Sequence, residues 1–200
     1  VDVRNEGEDK VPIAPDDVLN NKTIVLDPGH GGSDPGTVHF DLKEKDIVLN
    51  VGLLLEKKLK ESGANVIMTR MDDRYVSLEE RVRIANANNP DTFVSIHVNS
   101  VDNVPSANGT ETYWNRTYSS EQSRKLANEI QKQLISKLQT KDRGIKEANF
   151  YVIRYTKAPS VLVELGFLSN EDEAKRLNDP AFQELAAEAI YEGLKQYFQQ

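Results

Sequence analysis

Cysteine is absent from the 200-residue chain, so disulfides, thiolate metal sites, iron–sulfur clusters and thiol nucleophiles are excluded at once. An excess of basic residues is absent too: 25 Lys and Arg stand against 32 Asp and Glu, a net charge of −7. A protein that gains affinity by neutralising phosphates has the opposite balance, so nucleic acid is not expected as a partner. No apolar run approaches the roughly 18 to 20 residues that cross a bilayer. The richest, around Leu53 to Leu55 and Val161 to Val163, are flanked by Glu or Lys, and membrane insertion is not expected. Nor does a basic segment followed by an apolar one, the pattern that directs export, appear.

What is present suffices for one core, since 38% of the residues are hydrophobic. Residues 1–21 hold Asp2, Glu6, Glu8, Asp9, Asp16 and Asp17 against Arg4 and Lys10, with Pro12, Pro15 and no apolar period. They read as an acidic linker or tail, and residues 22–200 as a single domain.

In that domain short β-rich runs alternate with longer helical ones. The spacing predicts about six strands: Thr23 to Asp27, Asn65 to Arg70, Thr92 to Asn99, Gly109 to Asn115, Phe150 to Arg154 and Ser160 to Phe167. Helical stripes run through Ile47, Val51, Leu54, Leu55 and Leu59, through Leu126, Ile130, Leu134 and Leu138, and through Phe182, Leu185, Ala189, Ile190 and Leu194. Ser77 with Glu80 and Asn170 with Glu173 have capping-box spacing, and Asp179 before Pro180 reads as an N-cap with proline at the first helical position. The expected fold class is α/β: a largely parallel twisted sheet with helices on both faces. The more evenly alternating Gly109 to Asn115 reads as antiparallel or as an edge.

Ligands of open α/β sheets gather at the carboxyl ends of strands. After the first strand comes Asp27-Pro28-Gly29-His30-Gly31-Gly32, whose glycines permit sharp turns and leave His30 uncrowded. It lacks the spacing of either phosphate-binding glycine motif. In Thr92 to Asn99, alternation puts Phe93, Ser95, His97 and Asn99 on one face, with His97 near the carboxyl end. Imidazoles from two strand ends suit a zinc pair, although a structural histidine is the plainer reading of each alone. Glu164 sits inside the apolar run Val161 to Phe167, where an ionised carboxylate is costly without a cation, metal or donor, unless it faces water from an edge. Glu44 has the spacing of a capping box with Asp41, yet a short loop also returns it to the rim that carries His30. His39 reads as a surface residue.

Taken in order, Val25-Leu26-Asp27-Pro28-Gly29-His30-Gly31-Gly32, Leu42-Lys43-Glu44-Lys45-Asp46, Ser95-Ile96-His97-Val98-Asn99 and Val163-Glu164-Leu165-Gly166-Phe167-Leu168-Ser169-Asn170 resemble the zinc-dependent N-acetylmuramoyl-L-alanine amidases of bacterial cell-wall turnover. Arg70-Met71-Asp72-Asp73 and Leu78-Glu79-Glu80-Arg81 resemble that family too, without an evident chemical reason. The resemblance implies that His30, Glu44 and His97 bind Zn²⁺ and that Glu164 is the catalytic carboxylate. Two imidazoles and one carboxylate leave a fourth position open, as in catalytic rather than structural zinc sites.

The resemblance further implies a peptidoglycan substrate, cleaved between N-acetylmuramic acid and L-alanine by an extracytoplasmic bacterial autolysin, secreted or bound to the wall. Asn99 and Arg143 are candidate substrate contacts, because amides and guanidinium groups suit a ligand rich in amides and carboxylates. Asp27 is a candidate partner for the second nitrogen of a zinc-bound imidazole, and equally a candidate to cap the glycine turn. Wall-binding modules beyond this chain and a monomeric state are expected. Only about 50 residues follow His97 before the run at Phe150, so the regulatory helix of some division-associated relatives is not expected and the groove should stand open. A non-catalytic wall-binding module and a zinc peptidase are the alternatives.

Overall fold

The computed structural model describes residues 17–200. Of the stretch read as a tail, 1–16 lie outside the described residues, but its end belongs to the domain. Asp17–Leu19 form a single 3₁₀ turn, and Leu19 is fully buried in the core.

In chain order the elements are β1 (Thr23–Pro28), β2 (Val38–His39), β3 (Leu42–Lys43), α1 (Glu44–Glu61), β4 (Asn65–Met68), α2 (Leu78–Ala87) and β5 (Thr92–Asn99). They continue with β6 (Thr110–Trp114), α3 (Ser120–Leu138), β7 (Asp142–Glu147), α4 (Tyr151–Tyr155), β8 (Ser160–Phe167), α5 (Glu171–Leu177) and α6 (Pro180–Phe198). Six strands form one sheet in the order β4-β1-β5-β8-β6-β7, and β2 and β3 form a separate hairpin. β4, β1, β5 and β8 run parallel; β6 pairs antiparallel with β8 and parallel with β7.

Helix starts follow their local chemistry. Ser77 accepts from the Glu80 amide, Asn170 from those of Asp172 and Glu173, and Asp179 from that of Ala181, each satisfying donors that the helix leaves free. Leu185 departs from the expected stripe. It is 45% exposed, while Phe182, Ala186, Ala189, Ile190 and Leu194 face the core.

Two further expectations are corrected. Phe150 to Arg154 is not a strand: its β-forming residues make the short helix α4, which buries Val152 and Ile153 side by side. Packing under that helix outweighs β-propensity. The sixth strand is instead β7, Asp-Arg-Gly-Ile-Lys-Glu. It is an outer strand, so it needs little apolar surface and escapes a search for hydrophobic runs.

Strand alternation divides the core unequally. Ile24, Leu26, Val94, Ile96, Val161 and Val163 join α1, α3 and α6 in the larger cluster. Val25, Phe93 and Leu162 join Ala85, Val152 and Ile153 in a smaller one under α2 and α4. Continuing the same alternation places Asp27, Ser95, His97 and Glu164 on the smaller-cluster side, toward the carboxyl ends of β1, β5 and β8.

Candidate active site

β1 delivers the chain into a loop held in uncommon backbone conformations. His30 has φ 58°, in the left-handed region, and Gly31, Gly32 and Gly36 have φ of 124°, 60° and 67°. A side chain in that region costs roughly 1–2 kcal/mol, so the loop needs outside support. Arg81 Nη2 donates to the His30 carbonyl at 2.6 Å, and its Nη1 to that of Pro28 at 2.8 Å. Arg70, fully buried, donates from Nε to the Pro28 carbonyl and from Nη2 to those of Gly29 and Lys45. Asp73 accepts from the Gly32 amide and from Lys45 Nζ, which also reaches the Gly32 carbonyl. The Arg70-to-Asp73 and Leu78-to-Arg81 segments therefore have a chemical reason: they seat the loop that presents His30.

Glu44 does not cap α1. The N-cap is Lys43, without a side-chain cap, and Asp41 is left-handed at φ 61°. The Glu44 carboxylate turns inward instead. Its Oε1 accepts from the Val98 amide and its Oε2 from that of Thr37, each at 3.0 Å. Oε2 lies 3.2 Å from His30 Nε2, and Oε1 2.8 Å from His97 Nδ1. The two imidazoles meet edge to face with centroids 5.0 Å apart. One donor atom from each of His30, Glu44 and His97 lies within 4.8 Å of the others. Ligands at 2.0–2.1 Å around a tetrahedral ion stand about 3.4 Å apart; this donor set fits zinc in chemistry, and its atoms lie close enough together to converge on one ion.

The other nitrogen of His30, Nδ1, lies 2.8 Å from Asp34 Oδ2. Asp34 thus takes the place that the sequence reading assigned to Asp27. Asp27 meets neither imidazole: it points under the loop and accepts from Arg81 Nη1, Thr69 Oγ1 and Ser95 Oγ, each at 2.7 Å. Burial alone would raise the Asp27 pKa, but Arg81 and the two hydroxyls hold it below the usual carboxylate range. Burial lowers the His30 pKa, but Glu44 and Asp34 outweigh that and raise it. Desolvation likewise opposes ionisation of Glu44, and the two histidines overcome it and hold its carboxyl far down.

Glu164 lies one strand from His97, its Cα partner across β5 and β8, and is also paired in register with Glu111 on β6. Its Oε2 is shielded from solvent and has no hydrogen-bond partner. Burial first, and then the charges of Glu44 and Glu111, push its pKa well above the ordinary value. A carboxylate left without a partner beside three metal-type donors is placed to exchange protons with a ligand.

The sequence reading overlooked Asp34 and Glu111. Asp34 stands four residues after His30 in the glycine loop, and Glu111 is an acid in mid-strand; these signals were available. Asn99 and Arg143 converge on Glu111, donating to it at 2.9 and 2.7 Å. His39 Nε2 lies 3.0 Å from Ser100 Oγ and is outside the three-donor cluster. Beside the donors opens a cavity of about 170 Å³, walled by Gly29, His30, His97, Tyr75, Phe150 and Tyr151 among others.

Gly29 packs against the imidazole of His97, so a Cβ there would collide with the ring. Gly29→Ala should move His97 off its position and weaken zinc binding by about 10- to 100-fold, the range seen when the support of a ligand is lost. Competition against a chromophoric chelator measures this, and unchanged affinity would contradict the contact.

Two imidazoles from the carboxyl side of the sheet and a carboxylate from the start of α1, next to a cavity and an uncoordinated acid, form a possible metal site of the kind that hydrolases use. The family model described as N-acetylmuramoyl-L-alanine amidase matches residues 24–196, and the chain belongs to that family of hydrolases. It is 52% identical over 182 residues to the uncharacterized protein YqiI of Bacillus subtilis, spanning 91% of this chain and 87% of that one. To the N-acetylmuramoyl-L-alanine amidase LytC of the same organism it is 43% identical over 177 residues, 88% of this chain but only 36% of LytC. The crystal structure of an N-acetylmuramoyl-L-alanine amidase from Clostridium difficile 630 superposes with a TM-score of 0.87 at 36% identity, covering 90% of this chain and 98% of that one.

Proposed function

We propose that this site hydrolyses the amide joining the lactyl group of N-acetylmuramic acid to the L-alanine of the stem peptide in peptidoglycan. His30, Glu44 and His97 would hold Zn²⁺. When bound, zinc supplies Lewis-acid polarisation of the scissile carbonyl and lowers the pKa of water toward about 7. Asp34 orients the His30 ring through Nδ1. Glu164 accepts the proton of the attacking water and passes it to the departing amine of L-alanine, a role typically contributing about 10²- to 10⁴-fold in rate. Asn99 and Arg143 are the candidate substrate contacts in this reading, and both also donate to Glu111.

The observation that carries this reading is the unpartnered carboxylate of Glu164, one strand from the His97 donor. Incubating purified muropeptides with zinc-loaded protein tests it. The expected products are a peptide with a free L-alanine amine and a glycan retaining its lactyl carboxylate. Free amino acids released from sugar-free peptides would favour a zinc peptidase, and wall binding without product a non-catalytic module. His30→Ala is expected to lose both bound metal and turnover; metal content by mass spectrometry and product analysis check the two together.

In this reading the protein is a monomeric autolysin acting outside the cytoplasm, secreted or wall-associated, with wall-binding modules supplying affinity. The same reading has an open groove, supported by the packing of α3 with α6 in the larger cluster, on the other side of the sheet from the donors.

A further inference from the structure

Glu111 is 1% exposed and gathers four donors: Asn99 Nδ2 at 2.9 Å, Tyr113 OH at 2.6 Å, Arg143 Nε at 2.7 Å, and Lys146 Nζ. One cation is enough to neutralise a buried carboxylate; here two converge on it, leaving positive charge at the rim. Their side chains are 29% and 39% exposed, so both reach solvent in part. Arg143 spends Nε on Glu111 and places Nη1 3.4 Å from the Asn108 carbonyl. Among the described residues its Nη2 has no hydrogen-bond partner. The guanidinium carbon lies over the Phe167 ring, 4.7 Å from its centroid.

We propose that Arg143 and Lys146, set in place by Glu111, form a carboxylate-binding subsite for the departing peptide. The proposal rests on the amidase reading and adds the chemistry of one substrate group to it. The strand order β5-β8-β6-β7 carries His97, then Glu164, then Glu111, then the cationic pair. Glu164 delivers a proton to the leaving amine, so the amine, and the peptide behind it, lie on the Glu164 side of the metal donors. Neighbouring strands are about 4.8 Å apart, and the two cations lean back over β6 to reach Glu111. Their charged ends therefore stand roughly 10 Å from the metal donors. At about 3.3–3.6 Å per extended residue, that distance matches a carboxylate two to three residues beyond the scissile amide.

Electrostatics supports the same occupant. With two cations on one carboxylate, the Glu111 cluster carries net positive charge, which favours an anionic group on the peptide. An Arg fork and an ammonium bind carboxylates through charge-assisted hydrogen bonds. A carboxamide in the same place offers an acceptor without charge.

The test uses zinc-loaded protein and pairs of muropeptides that differ only in carboxylate against carboxamide, on the second or on the third residue of the peptide. For one of these pairs the carboxylate form should have a kcat/KM about tenfold higher. In an Arg143→Gln/Lys146→Gln double variant, whose melting temperature reports on the fold, the ratio should narrow to within about twofold. Equal cleavage of both pairs by the wild type overturns the subsite while leaving the amidase reading intact, as does a ratio that survives in the double variant. Cleavage of no muropeptide overturns the amidase reading and the subsite with it.

Discussion

Replacing Glu164 by Gln should remove about 10²- to 10⁴-fold of turnover and leave the bound zinc where it was. The amide keeps the size of the side chain but accepts no proton from water. Glu164 is not one of the three clustered donors, so metal content should not change. Stability should hold or rise, because the substitution takes a carboxyl group with no partner out of the neighbourhood of Glu44 and Glu111. Three measurements together decide the matter: kcat on a muropeptide, zinc stoichiometry by mass spectrometry, and the midpoint of urea unfolding. Near-normal kcat would end the assignment of Glu164 as proton carrier, and loss of zinc would recast it as a ligand.

The largest expected effect on stability comes from Asp27→Asn. The Asp27–Arg81 pair is buried, with both side chains at most 3% exposed and 2.7 Å between Nη1 and Oδ1. Removing one partner leaves an uncompensated buried guanidinium, which typically costs about 3–5 kcal/mol. The loss should spread to the metal donors, since the same guanidinium holds the Pro28 and His30 carbonyls. Denaturant unfolding of the variant measures the cost, and the Asp27→Asn/Arg81→Met double variant should recover part of it. A cost below about 1 kcal/mol would show that the pair carries little of the fold.

The pH dependence has a definite sign. The folded-state pKa of Asp27 lies below its ordinary value of 3.8. Its ionised form therefore contributes fully above that value, and the contribution disappears as pH falls through the lower folded value. The stability difference between wild type and Asp27→Asn should accordingly shrink on the acid side of 3.8.

Much of the architecture was legible because its signals are local. The period-2 runs at Thr23, Thr92 and Ser160 and the 3.6-period stripes of α1 and α3 depend only on which residues follow one another, as do the caps at Ser77, Asn170 and Asp179. Where local signals conflicted with distant packing, they misled. Tyr151-Val152-Ile153 is β-forming in composition but lies in a helix that closes the smaller cluster, and the polar segment Asp142–Glu147 is a strand because β6 offers it an edge. Glu44 has the spacing of a capping residue, and only the arrival of the Val98 and Thr37 amides turns its carboxylate inward.

The order of residues by itself determined the α/β class, the positions of most elements, the absence of thiol chemistry and the likeness that named His30, Glu44, His97 and Glu164. The tertiary structure alone decided that Asp34 rather than Asp27 meets the His30 imidazole, that Arg70 and Arg81 seat the loop, and that Asn99, Arg143 and Lys146 share Glu111. The physical reason is that hydrogen bonds and ion pairs act over about 3 Å in space, whereas Arg81 and Asp27, or Glu111 and Arg143, stand 54 and 32 residues apart along the chain.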